Sequence, residues 1–181
     1  MMQSKAWMVL SLVLTCLISA CALSQVYSLT KRQIEYQRTV QGLRIAFNAV
    51  LPEADRFVPV TPDSAVWHAF AQDRRIGSVL RVAKRGYGGP VPVTAGIDLE
   101  GRIVALRIAG PSEGLKETPG LGLKATEEWF RNQFRGKTAA ELRLTKEGGT
   151  IEAITGATIT SRAVIEALAE GLTNYQELLK P

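Results

Sequence analysis

The sequence predicts an α+β domain behind a single N-terminal membrane helix, with an antiparallel sheet and helices packed on one of its faces. Three observations predict it. Residues 6–30 contain no charged side chain. Two strand-like runs, residues 91–99 and 102–109, flank Glu100-Gly101, the pattern of an antiparallel hairpin. The last segment places Ala163, Val164, Ala167, Leu168, Leu172, Tyr175 and Leu179 on one face of a helix.

Composition narrows the function classes. A length of 181 residues suits one domain with an appendage. The net charge of +5 is modest, and the cations are scattered (Lys31, Arg32, Arg74, Arg75, Lys84, Arg85). No element concentrates them with aromatics between, so a nucleic-acid partner is not expected. The two cysteines, Cys16 and Cys21, both lie in the apolar N-terminal run. The rest of the chain therefore has no disulfide and no Cys-ligated metal or iron–sulfur site. His68 is the only histidine, which leaves a His-based triad or multi-His zinc site nothing to work with. No metal is expected, and any cofactor must be of another kind.

Residues 6–27 read as a membrane-spanning helix, since roughly 20 apolar residues cross a bilayer. Trp7 and Tyr27 stand at its ends, where interfacial aromatics belong. Lys5 precedes it and Lys31 and Arg32 follow it, so charge leaves the orientation open. A cleaved signal peptide has a shorter apolar region. A lipoprotein signal is closer, because Ile18-Ser19-Ala20-Cys21 has the small residues that precede a lipidated cysteine. An uncleaved anchor is the favoured reading, and both readings tether the chain to a membrane.

Residues 30–51 continue helically on Ile34, Val40, Leu43, Ala46, Phe47 and Val50, until Pro52 ends the pattern. Residues 57–62 are extended and Pro-rich. Trp67 and His68 read as a core tryptophan beside a surface histidine rather than as a stacking pair. Residues 72–75 form a polar turn, and residues 76–84 a strand rich in β-branched side chains. Gly86-Tyr87-Gly88-Gly89-Pro90 is a turn whose spacing is not that of a dinucleotide fingerprint. Alternation is clear again from Arg102 to Ile108. Residues 113–122 form a shaped loop with three glycines and a proline. Residues 125–134 read as a short helix capped by Thr126 and stopped by Gly136. Residues 142–145 and 151–154 are short extended pieces. The last helix, capped by Thr160 or Ser161, runs to about Leu179.

Chemistry gathers at Glu152-Ala153-Ile154-Thr155-Gly156-Ala157-Thr158-Ile159-Thr160-Ser161. Small residues let another body approach the backbone. A helix N-terminus with hydroxyls beside it attracts phosphate. The N–H groups of Thr160, Ser161 and Arg162 are the expected phosphate donors. Thr158 and Thr160 are the two candidate hydroxyls for attachment, and the residues alone do not separate them.

Two motifs occur together: Glu117-Thr118-Pro119-Gly120-Leu121-Gly122, followed by Trp129-Phe130 and Gln133-Phe134, and then Thr155-Gly156-Ala157-Thr158-Ile159-Thr160-Ser161. In this order they resemble the FMN-binding domain of the G subunits (RnfG) of the Rnf ion-translocating oxidoreductase complexes. The C subunit of the sodium-pumping NADH:quinone oxidoreductase shares that domain. The resemblance covers essentially the whole chain, and the length favours the Rnf type.

The resemblance implies a twisted antiparallel sheet packed by helices behind one membrane helix. It implies FMN bound covalently, through its phosphate, to the hydroxyl of Thr158 by a dedicated flavin transferase. Thr155, Gly156, Ala157, Thr160 and Ser161 would surround the phosphate. Glu117, Thr118, Gly120 and Leu121 would line the isoalloxazine ring. Glu152, six positions before Thr158, takes the place of the family's usual aspartate in the modification motif.

The implied organisation is a membrane anchor (1–29), a helical or extended connector (30–75) and an FMN-binding domain (76–181). The implied function is a redox subunit of a multisubunit translocase of the ferredoxin:NAD type, with no catalytic residues of its own. Its partners would be the other subunits of the complex. Its domain would lie on the periplasmic side of the bacterial inner membrane. The alternatives are a membrane-tethered flavin lipoprotein of another electron-transfer chain and a cofactor-free assembly module.

Overall fold

Residues 56–108 fold into one antiparallel five-stranded meander. The computed structural model describes residues 2–179, and the side chains of 7–27 and 42–179. Helix α1 covers Met2–Val50, and the chain divides into two compact units between Leu43 and Arg44. The side chains of Ile34 and Val40, expected to mark the helical face of the connector, lie outside the described residues.

In the first unit, Trp7–Tyr27 is long and apolar enough to cross a membrane, with 21 residues at a mean hydropathy of 2.1. At ~1.5 Å per residue it matches the ~30 Å hydrocarbon layer. Its apolar side chains are exposed all round, including Trp7, Leu10, Leu14, Ile18 and Leu23. Two of its hydroxyls are satisfied internally: Ser11 Oγ donates to the Met8 carbonyl, and Thr15 Oγ1 to those of Ser11 and Leu12, all at 2.9 Å. This is how hydroxyls are accommodated where no water is at hand.

The second unit holds strands β1 (Arg56–Pro59), β2 (Val66–Ala71), β3 (Arg74–Arg85), β4 (Pro90–Ile97) and β5 (Ile103–Ile108). They pair antiparallel in chain order. Strands β1 and β2, from the segment read as a connector, thus belong to the same sheet as the rest. The β2–β3 turn places Gln72 and Asp73 at φ 49° and 64°, the left-handed pair that suits a tight hairpin. At the β4–β5 turn, Asp98 Oδ1 accepts the N–H groups of Glu100 and Arg102.

Register puts Val66, Leu80, Ala95 and Leu106 in one row on one face. That face meets helix α3 (Thr158–Asn174) through Val164 and Leu168, and Phe130 and Phe134 extend the same core. The opposite row of Trp67, Val79 and Gly96 is not left to solvent at its centre. The last turns of α1 cover it: Phe47 stacks against Trp67 (ring centroids 5.2 Å apart) and Phe57 (5.0 Å), and Val50 is fully buried. The expectation of one covered face is corrected here, because the apolar end of α1 takes the other. Trp67 and His68 are both half-buried, and His68 Nδ1 lies 3.2 Å from Ser78 Oγ.

Other elements are shorter than expected. The helix anticipated over 125–134 is a 3₁₀ turn (Gly122–Thr126) followed by α2 (Glu128–Asn132). Thr126 does not cap it, since its hydroxyl donates to the Leu123 carbonyl. Residues 142–145 and 151–154 contribute one parallel bridge, Leu144 to Ile151. The last helix does not run through to Leu179. It breaks at Tyr175, whose hydroxyl donates to Asp63, and resumes as α4 (Gln176–Leu179).

Helix α3 approaches β3 most closely at Gly171. A Cβ there would stand 2.7 Å from Val82 Cγ1 and 3.1 Å from Leu80 Cδ2. Overfilling a packed contact of this kind costs about 1–3 kcal/mol. Gly171→Val is therefore expected to lower the urea midpoint of the detergent-solubilised chain, read by far-UV circular dichroism. A wild-type midpoint would show that α3 does not seat on β3 at this residue.

Candidate functional site

The site begins where the chain turns into α3. Gly156 takes φ +77°, a left-handed conformation that glycine adopts without strain. Ala157 donates its N–H to the Ile154 carbonyl (2.9 Å) and stands as the N-cap, so Thr158 is the first helical residue. No side chain caps the helix.

Thr160 and Ser161, expected as caps, lie instead inside the first turn, 1% and 0% exposed. The reason is the Gly156 turn, which starts the helix earlier than the hydroxyl pattern suggests. Ser161 Oγ accepts the Ile154 N–H (2.9 Å) and donates to the Ala157 carbonyl (3.0 Å), pinning that turn from within. Thr160 Oγ1 donates to Glu117 Oε2 at 2.8 Å, and Glu117 is itself 6% exposed. The other carboxylate oxygen, Oε1, accepts the Gly88 N–H at 3.2 Å. One buried carboxylate thus joins α3, the Glu117 loop and the β3–β4 turn. A Cβ on Gly122 would lie 2.8 Å from Glu117 Cβ as well as 2.5 Å from its Oε2, so a side chain there would displace the carboxylate.

These segments line a half-open cavity of about 560 Å³. Its walls are Tyr87, the loop residues Glu117, Thr118, Leu121 and Gly122, and the helix start from Gly156 to Thr160. Backbone geometry leaves the N–H groups of Thr158, Ile159 and Thr160 without an intrahelical acceptor, whereas Ser161 N–H already bonds to the Ala157 carbonyl. Of the three donors expected from the sequence, only Thr160 remains. Arg162 is exposed and paired with Glu147 at 2.7 Å. No lysine or arginine lines the cavity. An anion here would be held by backbone N–H groups and the positive end of a 17-residue helix.

The structure brings together Glu117, Thr118, Leu121, Gly156, Ala157, Thr158 and Thr160 around one space. Thr155 and Gly120 are exposed, and Ser161 is buried, and none of the three lines the cavity. Glu152 is exposed on the approach to the turn, its backbone held by Gln133 through bonds of 2.7 and 3.3 Å. Sequence reasoning missed Tyr87 and Ile159. Their signal was an aromatic set among three glycines and an isoleucine between two threonines. A second cavity of about 460 Å³, with Glu53, Glu128, Arg131 and Arg135 in its wall, lies against β5 and shares no residue with this one.

Residues 86–173 match the model of the FMN-binding domain family. The chain is 31% identical over 165 residues to the G subunit of the proton-translocating ferredoxin:NAD(+) oxidoreductase complex of Clostridium ljungdahlii, covering 90% of this chain and 86% of the relative. It is 33% identical over 187 residues to the Na(+)-translocating counterpart from Acetobacterium woodii, covering 90% and 87%. The C subunit of the Na(+)-translocating NADH-quinone reductase from Parabacteroides distasonis has a similar fold. Its TM-score is 0.52 at 23% identity, over 64% of this chain and 62% of that one. Shewanella oneidensis NqrC gives 0.51 at 19% identity, over 70% and 71%.

A buried acceptor stripped of its donor costs about 1–3 kcal/mol, whereas surface changes stay within about 0.5 kcal/mol. Thr160→Val, which removes the donor to Glu117, is expected to destabilise the chain by that larger amount, and Thr155→Val to be near neutral. Denaturant titration of both variants checks this. Equal stabilities would mean that the Thr160–Glu117 bond does not hold the site.

Proposed function

This chain belongs to the family of G subunits of ion-translocating oxidoreductase complexes, and we propose that it is the electron-transfer subunit of such a complex, with FMN esterified through its phosphate to Thr158. The observation that carries the reading is the disposition of hydroxyls at the start of α3. Thr160 and Ser161 spend theirs inside the protein. Thr158, half-buried, lines the cavity beside free backbone N–H groups.

The residues present fit the cofactor. Unpaired N–H groups at the head of α3 suit a phosphate, and each such helix-end interaction contributes about 0.3–1 kcal/mol. Ala157 and Gly156 keep the approach to Thr158 low, and Leu121 and Ile159 supply an apolar wall for a ring. Bound FMN would supply the electron-carrying chemistry, which no side chain here provides. The chain's own part is to fix the phosphate, exclude water from one side of the ring and keep Glu117 in place.

Maturation would need a flavin transferase from outside this chain, with exposed Glu152 as the acidic residue that it reads. Trp7–Tyr27 would anchor the protein in the bacterial inner membrane, with residues 44–179 on the periplasmic side and the rest of the complex as partners.

Co-expression with a flavin transferase, followed by a denaturing gel under ultraviolet light, tests the attachment. Wild type and Thr160→Val should fluoresce and Thr158→Val should be dark. A fluorescent Thr158→Val band refutes the assignment. For the orientation, protease added outside spheroplasts is expected to remove the domain, and a protected domain would place it in the cytoplasm.

A further inference from the structure

Tyr87 is 72% exposed, yet it sits on a turn that is held tightly in place. Gly86 N–H donates to the Gly89 carbonyl at 2.7 Å, and Gly88 N–H donates to buried Glu117. A Cβ on Gly86 would lie 2.4 Å from Glu117 Oε1, and one on Gly88 would lie 1.8 Å from the Lys116 carbonyl oxygen. The turn is therefore pressed onto residues 116 and 117 and carries its one side chain, among positions 86–89, at the cavity wall.

Among the described residues from Arg44 onward, six large apolar side chains are exposed: Ile45, Val58, Tyr87, Leu121, Trp129 and Ile159. Three of them, Tyr87, Leu121 and Ile159, come from three separate segments and border this one cavity. Contiguous exposed apolar surface marks a place where something binds. An aromatic ring among aliphatic side chains, next to a helix end suited to phosphate, fits a planar aromatic body carrying a phosphate.

We propose that Tyr87 covers one face of the isoalloxazine ring, with Leu121 and Ile159 completing the apolar wall, and that Glu117 is the positioning residue that holds Tyr87 there. The proposal rests on the FMN site at Thr158. Tyrosine suits the role because its ring offers an apolar face while its hydroxyl stays in water. Glu117 sets the distance between that ring and α3, since its two oxygens grip Gly88 and Thr160 respectively.

The test uses the full chain loaded with FMN in detergent, reading flavin fluorescence and visible circular dichroism at equal flavin content. A phenol ring against isoalloxazine quenches its emission by electron donation. Tyr87→Leu is expected to brighten the flavin several-fold and weaken its visible dichroism, and Tyr87→Trp to stay as dim as wild type. Glu117→Ala should brighten with Tyr87 still present. Glu117→Gln, able to accept from Gly88 and to pair with Thr160, should stay dim. A Tyr87→Leu protein that carries flavin with wild-type emission and dichroism overturns the proposal while leaving the FMN site intact. A wild-type chain that acquires no flavin overturns both.

Discussion

A buried carboxylate held by a backbone N–H and a hydroxyl ties this site together. Glu117 is buried and unpaired by any lysine or arginine in the cavity, and it accepts from a backbone N–H on one side and a hydroxyl on the other. Burying such a group is costly unless its oxygens are hydrogen-bonded. The glycines at 86, 88 and 122 are what make those bonds reachable, because any side chain there would collide with Glu117 or with its neighbour's backbone. The turn, the loop and the helix start depend on one another through this group. None of the three would keep its position if the other two moved.

The sheet supplies the frame on which that junction rests. Register carries Val66, Leu80, Ala95 and Leu106 across four strands in one row, and α3 lies over them. Gly171 lets the helix sink against Val82 near its far end, while Thr160 and Ser161 anchor the near end. A helix fixed at both ends on a sheet presents its first turn at a defined height. Rigid support from regular elements is what a binding constellation needs if it is to be preorganised.

Much of this was legible in the sequence, and what was not has physical reasons. Strand β5 could be read from the alternation between Arg102 and Ile108, whereas β3 and β4, buried in runs because both sheet faces are covered, were legible from β-branched content and the hairpin signal at Glu100-Gly101. Strand β1 shows little pattern, since three of its four residues are exposed. The start of α3 was misread because Gly156 turns the chain and the hydroxyls point inward, so the usual capping signal marks the wrong residues. The break at Tyr175 carries no glycine or proline, and its partner Asp63 is 112 residues away. Both loops of the site were recognisable as motifs. That Thr160 and Glu117 bond across 43 residues of sequence, and that Tyr87 closes the same space, is tertiary information.

The inward turn of Thr160 and Ser161 has a consequence for timing. An unfolded chain offers four hydroxyls within seven residues, at Thr155, Thr158, Thr160 and Ser161. On the folded chain two of these are already engaged, and of the others only Thr158 faces the cavity. Folding acts here as a protecting group in the synthetic chemist's sense. An enzyme acting on this segment would meet two free hydroxyls after the domain closes, exposed Thr155 and cavity-lining Thr158, and all four if it arrives before.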